Sequence, residues 1–150
     1  FLFPEYTIDA SLNLEIPLSV IATDLTLIDT IETAINQTEE IEIDKMFVTI
    51  KNGFPFDAKI NMILFDQNDN LIDTLFTNSQ ILSAKLDENN LVTESTTSTL
   101  STDYNQSGNI KKIITVASFN TVPTGEFVKI YSDYKLDIAI SSKFNKTIGN

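Results

Sequence analysis

Apolar residues recur at every second position over long stretches of this chain, and that period decides most of what it can fold into. In YTIDASLNLEIPLS, Ile8, Ala10, Leu12, Leu14, Ile16 and Leu18 alternate with polar residues; in FVKIYSDYKLDIAISS, Val128, Ile130, Tyr134, Leu136, Ile138 and Ile140 do the same. Successive side chains of a strand point to opposite faces, so strict alternation predicts strands with one face on a core and one in water. The second run would reach about 13 residues, roughly 43 Å at ~3.3 Å each. That is long for a globular strand, and the weak member Ser132 predicts a bulge near residues 132–133.

Elsewhere the phase shifts. Ile41 and Ile43 fall on one parity and Met46, Val48 and Ile50 on the other, which predicts a bulge or break at residues 44–45. AKINMILF, residues 58–65, becomes apolar on both parities and reads as an internal strand covered on two sides. LIDTLF at 71–76 follows DQNDN, making 58–76 a hairpin candidate, and ILSAKL (81–86) and KKIITVASF (111–119) are further strands. Pro17, Pro55 and Pro123 fall at strand ends or edges, where a missing N–H costs least. DTIETAINQ, 29–37, with Ile28, Ile31 and Ile35 at helical spacing and Asp29 or Thr30 as cap, is the one short helix candidate. The Ser/Thr-rich stretch 93–109 reads as an edge strand leading into a loop. The expected fold is all-β, an antiparallel, immunoglobulin-like β-sandwich of seven or eight strands in one domain, with at most that short helix.

Composition then removes whole classes of function. The chain of 150 residues has no His, Cys or Trp, and no Arg, so its ten basic residues are all Lys. Zinc, copper, haem and iron–sulfur sites lose their usual ligands, and Ser-His-Asp and Cys-His catalysis is excluded. At a net charge of −11 a nucleic-acid backbone or anionic membrane surface is repelled. No apolar run is long enough for a transmembrane helix. The chain opens on Phe1 without a basic, apolar leader, as expected for a processed or partial piece of a longer protein whose anchor would lie upstream. Residues 1–44 carry ten acids and no base, whereas 111–150 carry six Lys against Glu126, Asp133 and Asp137. The expected reading is that these regions are neighbours in the fold; an acidic face for a partner is the alternative.

Three patterns invite chemistry. DQNDN places Asp66, Asn68 and Asn70 at the first ligand positions of a calcium loop. The turn Gly and closing Glu of such a loop are replaced by Leu71 and Thr77, and DENNLV at 87–92 repeats the pattern between two other strands. Asp and Asn tolerate left-handed backbone and cap their own turns, so both read as chain reversals. Glu39, Glu40, Glu42 and Asp44 are dense enough for paired acid–base work. Three like charges on one exposed strand face fit an edge kept in solvent better. Phe47, Phe54, Phe56, Phe65, Tyr104, Tyr131 and Tyr134 are scattered at strand positions, as in filled sandwich cores, and without Trp a sugar-stacking platform is less expected. The sequons at Asn36, Asn105 and Asn145 occur at the frequency chance provides.

NGFPFDAKINMILFDQNDNLIDTLF, preceded by IPLSVIATDLTLIDTI, resembles the C-terminal part of uncharacterised cell-envelope lipoproteins of the Bacteroidota. The shared pattern is an NGFPxD turn before two strands, a D-x-N-x-x hairpin, an upstream PL…LTLxDT segment and a late Tyr strand, here Tyr131 and Tyr134, over residues 20–76 and 113–140. Residues 46–65 are similar to the immunoglobulin-like sandwich of late-embryogenesis-abundant and water-stress domains. Both resemblances imply a β-sandwich without catalytic residues. The first implies the outer membrane or cell surface, an upstream lipid anchor, and O-glycosylation at Asp-Ser/Thr-apolar sites, for which Thr30 and Thr74 are candidates. The expected function is a non-enzymatic surface or envelope module that binds a protein partner or contributes to an assembly, without cofactor or nucleic acid. A carbohydrate-binding module, calcium-assisted through Asp66 and Asp69, is the alternative, and a hydrolase would need a cleft holding two carboxylates.

Overall fold

A computed structural model describes residues 18–20, 25–35, 41–120 and 128–146. They form eleven strands and, among the described residues, no helix: β1 (Leu18–Val20), β2 (Leu25–Ile35), β3 (Ile41–Asn52), β4 (Ala58–Phe65), β5 (Leu71–Ile81), β6 (Lys85–Leu86), β7 (Val92–Glu94), β8 (Thr96–Asp103), β9 (Ile110–Phe119), β10 (Val128–Ile130) and β11 (Leu136–Lys146). A four-stranded sheet, β2-β9-β4-β5, packs against a three-stranded sheet, β11-β3-β8, and β1-β10 and β6-β7 are small antiparallel pairs. This is the antiparallel sandwich that the alternation predicts.

The two sheets share one core. Met46, Val48 and Ile50 of β3 meet Ile60, Met62 and Leu64 of β4 and Ile113 and Phe119 of β9, all of them buried. Each such side chain contributes about 1.5–3 kcal/mol by leaving water. The phase shift in β3 is resolved by one bulged residue. Lys45 pairs with Lys143 and Ile43 with Phe144, so Asp44 is the extra residue with no register position opposite it on β11, and Ile43 returns to the core face. The hairpin at 58–76 is present, and its second strand runs on to Ile81. Opposite Asn61, residues 76–78 of β5 bulge out, with Phe76 at φ 54° and Asn78 at φ 55°, and the Asn78 N–H donates to Asn61 Oδ1 at 2.8 Å. Positive φ is costly for a bulky aromatic, and a bulge of this kind spoils an edge for pairing with another chain.

Some expectations need correction. Residues 29–35 are not helical; they belong to β2, whose inward positions Leu25, Leu27, Asp29 and Ile31 pair with Phe119, Ala117, Thr115 and Ile113 of β9. Ile28, Ile31 and Ile35 satisfy helical spacing by coincidence, while β-branched Thr26, Ile28, Thr30, Ile31 and Thr33 favour the pleated surface that β9 supplies. The late alternating run is not one bulged strand either. It breaks into β10 and β11 across a turn closed by Tyr134 N–H to Tyr131 C=O at 3.2 Å. The stretch from 93 holds β8, an edge strand as expected. Of the early alternating run, residues 8–17 lie outside the described residues.

Residues 52–57, NGFPFD, cross from one sheet to the other, and Asn52 ties the crossing together. It is fully buried; its amide donates to the Phe56 and Leu82 carbonyls at 3.1 and 3.0 Å and its Oδ1 accepts from the Phe54 N–H at 2.9 Å. Gly53 allows the turn before β11 to approach: its N–H donates to Lys135 C=O at 2.9 Å, and an added Cβ would stand 2.9 Å from that same oxygen. Phe54 and Phe56 then pack on Phe119, each with ring centroids 5.2 Å away. Asp57 finishes the crossing by accepting from Gln80 Nε2 and Ser83 N–H.

The acidic early region and basic late region are indeed neighbours: Lys143 pairs with Asp44 at 2.8 Å and Lys111 with Glu32 at 3.6 Å. The Lys143 hydrogen bond holds Asp44 below its ordinary value, and that of Lys85 does the same for Glu94. Depressed carboxylates stabilise the fold above their unfolded pKa, and this contribution is lost as pH falls through the folded value. At the alkaline end Lys143 is raised by its hydrogen bond with Asp44, and burial pushes the Tyr104 phenol up to about 12 from 10.0. Raised groups contribute fully below the unfolded pKa and lose the contribution as pH climbs through the folded one. Melting temperature is therefore expected to be flat from about pH 5 to 9, to fall below about pH 4 and to fall again above about pH 10. Tyr104→Phe should soften the alkaline fall, and calorimetry across pH checks both limbs.

Candidate functional site

The Asp/Asn turns come first, because the sequence singled them out. The Asp66 N–H donates to Asn70 C=O and the Asp69 N–H to Asp66 C=O, and Asp69 has φ 60°. Asp66 Oδ1 accepts from the N–H groups of Asn68 and Asn70 at 2.8 and 2.9 Å, and Oδ2 accepts from Asn70 Nδ2 at 2.9 Å. These bonds, that of the Asn70 side chain foremost, lower the Asp66 pKa. Asp69 is ion-paired with Lys112. The second turn repeats the first: Asp87 accepts from Asn89 and Leu91 N–H, and Asn90 has φ 61°. Both are hairpin turns held by their own carboxylates. Asp66 and Asp69 serve the chain's own donors, and among the described residues no three acidic side chains converge on a cation position. Calcium added during thermal melting is expected to leave the transition where it is; a rise in melting temperature would make the first turn a site.

The other candidates disperse. Glu39 and Glu40 lie outside the described residues, Glu42 is exposed on β3, and Asp44 sits in the bulge with Lys143. Phe54, Phe56 and Tyr134 gather with Phe119 at one end of the sandwich, where Phe56 and Phe119 are buried, so they build core rather than a sugar platform. Tyr104 is buried as well.

Thr30 and Thr74 are brought into one row. Thr30 on β2 pairs with Ile114 on β9, Ile114 with Ile63 on β4, and Ile63 with Thr74 on β5. The two threonines thus stand at opposite edges of the outer face of the four-stranded sheet, both exposed. Each follows an aspartate whose Oδ1 accepts the threonine's own N–H.

That outer face is the surface the sequence left unexplained. Its neighbouring row pairs Ile28 with Val116 and Val116 with Asn61; the row beyond Thr30 pairs Glu32 with Lys112 and Lys112 with Phe65. Ile28 is 67% exposed, and Val116, Ile114, Ile63 and Phe65 are half-buried. Lys112 lies over the Phe65 ring at 4.8 Å. Thr26, Ser118, Lys59 and Gln80 close the strip with a polar row. The two-sided apolar pattern of residues 58–65 is thus met on one side only. Ile60, Met62 and Leu64 face the other sheet, while among the described residues no element covers Ile63 and Phe65. The signal was legible as apolar residues on both parities of β4, with Ile114 and Val116 on the second parity of β9.

No protein family, no curated protein and no solved structure matches this chain. No helix among the described residues is long and apolar enough to cross a membrane.

Proposed function

We propose that this chain is a non-enzymatic β-sandwich module of the cell envelope, at the outer membrane or cell surface, that binds a protein partner through the outer face of its four-stranded sheet. The carrying observation is the apolar strip of Ile28, Val116, Ile114 and Ile63 inside a polar frame, on a face that no described element covers. An apolar centre with a polar rim is the usual anatomy of a protein interface. Four strands about 4.8 Å apart and eight residues of about 3.3 Å present roughly 500 Å². A standard interface takes about 800 Å² from each partner, so the partner must also reach the flanking turns. The envelope location and an upstream lipid anchor rest on the resemblance of the NGFPFD and DQNDN segments. O-glycans on Thr30 and Thr74 would flank the strip, and an intact mass of native material without added hexose removes them from the proposal.

The test is co-purification from native membranes followed by mass spectrometry, with wild type beside Ile63→Lys and, as control, Thr97→Lys on the exposed outer side of β8. A protein captured by wild type and Thr97→Lys but lost with Ile63→Lys supports the reading. The same proteins captured by all three overturn it.

A further inference from the structure

Asn52-Gly53 is the only Asn-Gly pair in the chain. In an unstructured peptide this pair is the most prone to lose its side-chain amide, because glycine has no Cβ to keep its backbone nitrogen from the neighbouring carboxamide. The fold calls for both members, each for its own reason. Asn52 serves two carbonyls and one N–H across the crossing. Gly53 is needed because a Cβ would stand 2.9 Å from Lys135 C=O and 3.4 Å from Ser95 Oγ. Packing thus places a chemically labile pair in a crossing between the two sheets.

The same contacts withhold the reaction. Conversion needs the Gly53 nitrogen to give up its proton, the Asn52 carboxamide to swing onto it, and water to finish. The Gly53 N–H is held by Lys135 C=O at 2.9 Å. The carboxamide is fixed at both ends: Nδ2 donates to the Phe56 and Leu82 carbonyls, and Oδ1 accepts from the Phe54 N–H. Both residues are buried, and Asn52 has no exposed surface.

We propose that Asn52 is a latent deamidation site, locked while the crossing at 52–57 is folded and released when it opens. The Gly53 nitrogen attacks Asn52 Cγ. The N–Cγ bond forms, the Cγ–Nδ2 bond breaks, and Nδ2 leaves as ammonia with the proton that the Gly53 nitrogen gives up. Water, the only co-reactant, then opens the five-membered imide. Opening at Cγ leaves an aspartate at position 52; opening at the main-chain carbonyl leaves an isoaspartyl linkage, with the main chain running through Cγ. Neither product refits. The carboxylate has no donor for the Phe56 and Leu82 carbonyls and buries a charge. The isoaspartyl form adds a methylene to the main chain where Gly53 is clamped to Lys135. Time spent unfolded is thereby converted into chains that cannot return, so the pair sets a kinetic limit on reversible unfolding. The inference is independent of the outer-face reading, because it concerns the crossing and not the strip.

The chain is incubated in mildly alkaline buffer, folded and, in parallel, unfolded in guanidinium chloride. Position 52 is followed by peptide mapping that separates aspartyl from isoaspartyl products. Conversion is expected to be at least ~100-fold slower in the folded chain, because only the open fraction reacts. Gly53→Ala, incubated unfolded, should convert several-fold more slowly than wild type, since its Cβ crowds the attacking nitrogen. The unfolded wild-type sample is then returned to native buffer and separated by size exclusion into a native monomer pool and the remainder. Peptides modified at position 52 should be concentrated in the remainder. Similar rates in folded and unfolded chains overturn the proposal. So does Gly53→Ala converting as fast as wild type, or modified peptides shared equally between the two pools.

Discussion

Replacing Asn52 with Ala is expected to cost about 3 kcal/mol of folding stability and to lower the melting temperature by roughly 6–12 °C. The substitution strands the Phe54 N–H and the Phe56 and Leu82 carbonyls, each paired with the fully buried Asn52 side chain, the Phe56 bond buried and the other two part-buried. Leaving a buried polar group unpaired costs about 1–3 kcal/mol, and here one buried and two part-buried groups are left. Asn52→Asp is expected to do no better: it keeps an acceptor for Phe54 but loses both donors and buries a charge. Chemical denaturation of the three proteins checks the ranking, and a loss below about 1 kcal/mol for Asn52→Ala would mean the crossing at 52–57 is held by something else.

Phe119→Ala is expected to cost about 3–5 kcal/mol, the range for emptying a buried aromatic site, and Phe119→Leu well under half of that. Phe119 is fully buried at the end of β9, and both Phe54 and Phe56 rest on it. Because the same loop carries Asn52, the two alanine variants should not be additive: once the loop has lost its aromatic floor, its polar tether holds less. A double-mutant cycle by denaturation measures the coupling, and strict additivity would contradict the view of residues 52–57 and Phe119 as one unit.

How far the sequence reaches can be judged at particular residues. The bulge at Asp44 was legible because a parity change has few remedies, and one extra residue is the smallest. The turns at Asp66 and Asp87 were legible because positive φ at Asp69 and Asn90 is a conformation Asp and Asn accept. β2 reads as helix in the sequence because Ile28, Ile31 and Ile35 fit a helical period and not a period of 2; in the strand Ile28 faces outward and Ile31 inward, and only pairing with β9 decides. The break at 131–135 was misread as a bulge because its cause is distant in sequence: Gly53 binds Lys135 C=O, and Tyr134 packs edge-on to Phe54. The candidate interaction face was half legible. Apolar residues on both parities of β4 require two covers, but a pattern cannot say that this chain's described residues supply only one.

Ile113 and Ile114 are adjacent on β9 and lie on opposite faces, the first buried in the core and the second in the outer row. Introducing Lys at each position separately, with melting temperature and partner capture read on the same samples, bears most directly on the claim that one parity builds the sandwich and the other binds. Ile113→Lys should abolish cooperative melting, whereas Ile114→Lys should melt within a few degrees of wild type and fail to capture the partner. Comparable unfolding by both variants, or undiminished capture by Ile114→Lys, would contradict it.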